Sequence, residues 1–234
     1  MLAQEAVPAP GDGGGGMGMG CPGGGMDPNR WTAFRNLGHT DAKLQGLAVF
    51  NTWANCSSCH ILEPGPAGYP LFKDFGYGNI GVPKNPYNPF YKMPVAWNPD
   101  GKDWVDYGLG EFLKRAGYPP EVYEPEMGKH KVPTLRNVDR RPSEDTVKAY
   151  GHNGYFKSLE GMEGVVHFYH WRAMMDNGMC GGIGGGMGDC SGMENMFDPP
   201  EVDQNRATLS MFPMMQIDNV VAFLKTLSDG YFVR

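Results

Sequence analysis

The sequence lacks several features that would assign it to a common class of protein. No apolar run reaches the roughly 18 residues that a membrane-spanning helix needs, so no transmembrane segment is predicted. The chain has 20 basic residues against 26 acidic ones, which gives a formal net charge of -6. Because nucleic acids attract basic surfaces, nucleic acid is not expected as a partner.

Glycine and proline, by contrast, are abundant, with 35 glycines and 20 prolines in 234 residues. Such a composition is typical of loop-rich chains. We predict a Gly/Met/Pro-rich arm over residues 1–35 and one domain over 36–234, in which 173–198 form a Gly/Met/Cys-rich insertion loop. The predicted fold is mainly α-helical with long loops.

Apolar spacing predicts four helices. The first covers about 40–54 with Thr40 or Asp41 as its cap, and the second is short, near 111–116. The third runs through 165–170. The last covers about 213–227 with Pro213 in its first turn, and its apolar residues follow the i, i+3, i+4, i+7 pattern of a helix docked on a core.

One motif carries chemistry: Cys56-Ser57-Ser58-Cys59-His60, the signature of covalent c-type haem attachment. The two thiols would bond to the two vinyl groups of one haem, and His60 would be the proximal iron ligand. A redox Cys-x-x-Cys motif is usually found beside a strand–helix pattern, which is missing here, and a zinc site would need a second ligand pair. The sequence therefore predicts one covalent haem c.

The first residues, Met1-Leu2-Ala3-Gln4, resemble what remains after an export signal is removed. We therefore expect a periplasmic or extracellular protein. Disulfides persist in such compartments. Cys180 and Cys190 would close a short Gly-rich loop, and Cys21 could pair with either of them instead.

Four stretches of the sequence resemble one known family: GKHKVPTLRNVDRRP, KAYGHNGYFKSLE, VVHFYH and NVVAFLKTLSDG. They are similar to the C-terminal haem domain of the bacterial dihaem cytochrome c peroxidase and methylamine-utilisation dihaem enzyme family, over about residues 36–232. The resemblance implies a cytochrome c-like helical fold. Family enzymes carry two haems, whereas this sequence has one attachment motif. We therefore expect the single-haem, electron-entry half, without the peroxide-reacting haem domain.

The same resemblance implies residues for the other side of the iron. Tyr169 falls at the family's distal ligand position if a three-residue insertion near Gly161 is allowed, and Met174 or Met175 is the alternative. His167 or His170 would give a bis-histidine haem. The choice matters because a Met ligand favours a high reduction potential, whereas a Tyr phenolate would favour ferric iron.

Three further residues are candidates around the haem. Arg136 and Asn137 are expected to support the site or to bind a haem propionate, for which a guanidinium is well suited, although a loop ion pair is equally compatible with Arg136. His152 resembles a family histidine that lies near this haem.

Three functions follow from these predictions. The first is a mono-haem electron-transfer protein, or a subunit of a larger exported redox complex, that meets redox partners or copies of itself through the arm and loop. The alternative is a peroxidase-like enzyme that uses hydrogen peroxide. In a third, the Gly/Met tracts bind Cu(I) through sulfur, although such tracts more often form adaptable interaction surfaces.

Overall fold

The computed structural model describes residues 40–63, 70–141, 143, 146, 148–178 and 196–228. The predicted arm over 1–35 lies outside the described residues, as do Cys21, Cys180 and Cys190, so the disulfides stay a prediction. The chain divides into two compact units. The first comprises Met1–Asp74, Pro133–Pro142 and Ser210–Arg234, and the second comprises Phe75–Val132 and Ser143–Leu209. The predicted arm and single domain over 36–234 stay a prediction.

The mainly α-helical prediction is confirmed. The helices are α1 (Ala42–Asn51), α2 (Gly108–Arg115), α3 (Pro120–Tyr123), α4 (Val165–Asp176) and α5 (Ile217–Lys225), with several short 3-10 turns between them. Within the described residues, the only sheet is an antiparallel pair of two-residue strands, β1 (Tyr77–Gly78) and β2 (His130–Lys131). No helix in the described part of the chain is long and apolar enough to cross a membrane.

The first unit is built on α1 and α5. Of the two predicted caps, Asp41 is the one used: its carboxylate accepts a hydrogen bond from the Lys43 backbone N–H at 2.8 Å. The two helices approach closely at Gly46, where an added Cβ would overlap the carbonyl oxygen of Asn219. The rings of Phe50 and Phe223, both fully buried, meet edge to face at 5.2 Å.

Two predicted boundaries in this unit need correction. The first helix ends at Asn51 rather than near residue 54. Pro213 is not in the first turn of α5: it precedes a 3-10 turn, Met214–Gln216, and α5 begins only at Ile217. A 3-10 turn leading into an α-helix is common, and the apolar pattern alone does not distinguish the two.

The second unit packs α4 against a cluster of aromatic and aliphatic side chains. The buried members are Val82, Phe156, Phe168, Trp171 and Phe197. The helix continues to Asp176, so the stretch predicted as an insertion loop from residue 173 begins with helix. Trp171 and Ala173 are buried on that helix, and this packing explains why the helical turn persists into the Gly/Met-rich sequence.

Candidate haem-attachment site

The attachment motif follows α1 and begins with a tight turn. Asn55 adopts a left-handed conformation with φ 49°, and a 3-10 turn covers Cys56–Ser58. The backbone N–H groups of Cys59 and His60 both donate to the carbonyl of Cys56, at 3.3 and 2.9 Å. One short, internally bonded turn thus carries both thiols and the imidazole.

The Cys56 thiol lacks the lowered pKa that a redox or zinc-binding cysteine needs. Neither forms a disulfide; Cys56 is partly buried and Cys59 is exposed. Burial raises the pKa of the Cys56 thiol to about 12. A nucleophilic or metal-binding cysteine instead needs a lowered pKa that favours the thiolate.

His60 is oriented for one of its two nitrogens to bind a metal. Its Nδ1 lies 2.9 Å from the carbonyl oxygen of Phe72. Burial lowers the pKa of His60, outweighing hydrogen bonds to the backbones of Phe72 and Pro133, and so favours the neutral ring that a metal requires. A backbone acceptor on one ring nitrogen is the usual support for metal ligation by the other. The residues present therefore fit a covalent haem c.

The Phe72 carbonyl contacts His60, and the loop that contains Phe72 is bonded in turn to residues 133–137, Pro-Thr-Leu-Arg-Asn. Phe72 is 1% exposed and adopts φ 52°, a conformation that a bulky residue keeps only when its surroundings impose it. The Thr134 hydroxyl donates to the carbonyl of Leu71 at 2.5 Å and also accepts the Arg136 backbone N–H at 3.2 Å. Thr134 thereby fixes the residue next to the His60 acceptor.

Arg136 and Asn137 lie in the same block. One terminal nitrogen of Arg136, Nη1, is buried. Asn137 adopts φ 59°, and its backbone N–H donates to the carbonyl of Leu227 at 2.7 Å, which gives it a structural role. A propionate-binding role for either residue stays a prediction.

The predicted distal candidates all lie on α4, in the second unit. Tyr169 and Met175 are partly buried against the aromatic cluster, and Met174 is also partly buried. His167 and His170 are buried, with ring centroids 6.0 Å apart. Burial, and then the neighbouring His170, lowers the pKa of His167. The assignment of any of them to the iron stays a prediction.

Two supporting residues escaped the sequence analysis. Phe72 acts through its backbone carbonyl, which every residue possesses, so no sequence signal marks it. Thr134 lies within the stretch GKHKVPTLRNVDRRP, which carries the family resemblance. A hydroxyl side chain within that stretch was the sequence feature that could have indicated its hydrogen bond to the Leu71 carbonyl.

Replacing Thr134 tests this support. We expect Thr134→Val to lower the free energy of unfolding by about 1 kcal/mol, because it removes the hydroxyl that bonds to the Leu71 carbonyl. The His60–iron bands of the haem-loaded protein should also broaden. Thr134→Ser, which keeps the hydroxyl, is the matched control and should restore both properties. Equal behaviour of the Val and Ser variants in urea unfolding and near-infrared spectra would contradict this role.

The chain resembles known proteins in sequence and in fold. No protein-family model matches it. The methylamine utilization protein MauG of Paracoccus denitrificans is 29% identical over 191 residues, which cover 79% of this chain and 41% of MauG. The dihaem peroxidase BthA of Burkholderia thailandensis is 25% identical with a TM-score of 0.51, over 85% of this chain and 45% of BthA.

The chain thus spans less than half the length of either relative. The resemblance noted in the sequence is confirmed at the level of the family and the fold, and it supports a haem-based redox protein. The single-haem form stays a prediction. The chain is similar to MauG in sequence and to the dihaem peroxidase BthA in sequence and fold.

Proposed function

We propose that the chain carries one haem c on Cys56, Cys59 and His60 and serves as an electron-transfer protein, or as an electron-transfer subunit of an exported redox complex. The observation that carries the proposal is a single attachment motif whose histidine is held at Nδ1 by the Phe72 carbonyl. A bound haem c supplies one-electron chemistry at its iron. Redox proteins are the expected partners.

The protein's own contribution is to fix the iron's surroundings. Burial lowers the pKa of His60 and so favours its neutral ring, and a backbone carbonyl orients that ring, so His60 would need little rearrangement to hold the iron of a bound haem. Thr134 and the strained Phe72 prevent the loop from turning away. An electron carrier benefits from this rigidity because little rearrangement accompanies each transfer.

The residue that would bind the iron opposite His60 determines whether the reduction potential of the haem is high or low. A thioether from Met174 or Met175 would raise the reduction potential, which suits a carrier. A phenolate from Tyr169 would lower it. All three side chains are partly buried on α4.

The proposal is tested on the haem-loaded full chain. We expect a reversible one-electron potentiometric curve, slow binding of carbon monoxide and cyanide, and no steady oxidation of a donor by hydrogen peroxide. Tyr169→Phe, Met174→Leu and Met175→Leu keep the apolar packing and each remove one candidate ligand. The variant that changes the ferric near-infrared spectrum identifies the ligand. Rapid carbon monoxide binding together with peroxide turnover would overturn the electron-transfer proposal.

A peroxidase-like enzyme is the second candidate, favoured by the similarity to BthA, whose name describes it as a dihaem peroxidase. This candidate needs a displaceable or open iron position and steady peroxide-dependent oxidation of a donor. If that turnover is present and falls by more than about tenfold in Tyr169→Phe, Tyr169 belongs to the catalytic machinery. Turnover that Tyr169→Phe leaves unchanged would exclude that role.

A further inference from the structure

A second cluster of metal-binding side chains lies in the second unit, apart from the attachment motif. Asp106, His130 and His152 each offer one ligand atom, and these atoms all lie within 4.8 Å of one another. The two imidazoles are stacked, with centroids 3.5 Å apart and planes 5° apart. Glu201 closes the cluster, with its Oε2 at 3.4 Å from His152 Nε2. Two imidazoles and one carboxylate thus lie close together, with a second carboxylate beside His152.

The backbone on the Asp106 side is tightly bonded. The Asp106 carboxylate accepts the Gly108 N–H at 3.0 Å, and the Leu109 N–H donates to the Lys129 carbonyl at 2.9 Å. Gly108 has φ 56°, and a Cβ there would lie 3.0 Å from Cε1 of His130. The same Cβ would overlap the carbonyl oxygen of Lys129, so glycine at 108 is what allows the backbone next to His130 to approach so closely.

The His152 side is equally fixed. Asn153 donates through Nδ2 to the Pro83 carbonyl at 2.7 Å and to Glu201 Oε2 at 2.8 Å. The Glu201 N–H donates to the Val82 carbonyl at 3.0 Å. The side chain of Glu201 is 1% exposed and that of His152 is 16% exposed. Glu201 is buried and Asp106 and His130 are half-buried, whereas His152 is the exposed member through which a metal ion could reach the cluster from solvent.

The protonation states of two members suit a cation. Burial, followed by the neighbouring His152, lowers the pKa of His130 and favours its neutral ring. The pKa of Glu201 is also lowered: burial opposes this, but hydrogen bonds from His152, Asn153 and the Asp106 backbone outweigh it. Imidazole nitrogens and a carboxylate oxygen, as offered by His130, His152 and Asp106, form the donor set that borderline divalent metals prefer.

We propose that Asp106, His130 and His152 bind one divalent first-row transition-metal ion, with Glu201 as the carboxylate that orients His152. Tetrahedral zinc with bonds of about 2.1 Å places its ligand atoms about 3.4 Å apart. The ligand atoms must therefore move together by up to about 1.4 Å, and the stacked rings must tilt out of parallel. Carboxylate support of a ligating imidazole is the usual arrangement around protein-bound metals. None of these residues belongs to the haem-attachment motif, so the proposal does not depend on the proposed electron-transfer role.

The test uses the haem-loaded full chain, stripped of loosely bound metal by a chelator and titrated with Zn²⁺ against a chromophoric competitor. We expect one tight Zn²⁺ per chain. His130→Gln, His152→Gln and Asp106→Asn should each weaken binding by at least about tenfold. Asp106→Asn is the conservative variant, because the amide oxygen can still accept the Gly108 N–H. Asp103→Asn, which changes an exposed carboxylate three residues away, is the matched control and should bind like the wild type.

Zinc-edge X-ray absorption adds a readout that the haem iron does not obscure. The wild type should show two imidazole ligands, and His152→Gln should show one. Unchanged haem spectra in all variants establish that each chain has folded. No tight Zn²⁺ binding, or equal binding by the wild type and the three site variants, would overturn the proposal.

Discussion

Replacing both Cys56 and Cys59 with serine is expected to leave the chain with no covalently attached haem. Serine cannot form the thioether bonds that fix the ring, whereas the turn that carries the motif depends on backbone hydrogen bonds that serine preserves. We expect haem staining after denaturing electrophoresis to fall below a tenth of the wild-type signal. The intact mass should equal that of the polypeptide alone.

One of the two serines between the cysteines, Ser58, provides the control variant. Ser58 is exposed, and its hydroxyl donates to the Asn55 carbonyl at 2.8 Å and lies 3.8 Å from the Cys59 sulfur, so Ser58→Ala removes side-chain contacts within the motif while both thiols remain. This variant should keep its haem at close to the wild-type level. Haem that survives denaturation in the double cysteine variant would refute covalent attachment through this motif, and loss of haem in Ser58→Ala would show that the assay reports on folding instead.

The elements that could be predicted from the sequence are those whose signal is local. The helix before the motif and the last helix both have apolar residues at helical spacing, and Asp41 is a residue type that caps helices. The ends of these helices are harder to predict, because a 3-10 turn such as Met214–Gln216 has no apolar spacing that distinguishes it from an α-helix. The attachment motif could be predicted for the same reason, because its five residues are consecutive in the sequence.

What could not be predicted depends on contacts between distant parts of the chain. His60 is oriented by a backbone carbonyl twelve residues away, on a Phe72 that adopts a left-handed conformation no sequence rule assigns to phenylalanine. His130 and His152 are separated by many residues, and Glu201 comes later still. Only the fold brings them together. The resemblance placed His152 near a haem but gave no indication of its three neighbours.

The close approach of α1 and α5 gives the largest expected effect on stability. Gly46 is buried on α1, and an added Cβ would overlap the Asn219 carbonyl and lie 2.8 Å from Cβ of Phe223. The overlapping atom is backbone, so no rotamer change relieves it and the helices must separate. Separation would pull apart the contact of Phe50 with Phe223. We expect Gly46→Val to lower the free energy of unfolding by about 3 kcal/mol or more.

Urea unfolding of the haem-loaded chain measures this loss, with Ala48→Val as the matched control. Ala48 is exposed on the same helix, so its replacement carries only the helix propensity cost of valine, about 0.5 kcal/mol. Gly46→Ala sharpens the argument. Alanine is favoured over glycine in a helix by about 1 kcal/mol, so a destabilised Gly46→Ala variant must owe its loss to the overlap. A Gly46→Ala variant more stable than the wild type would mean that α1 and α5 can part without cost, and the packing that supports the haem motif would then lie elsewhere.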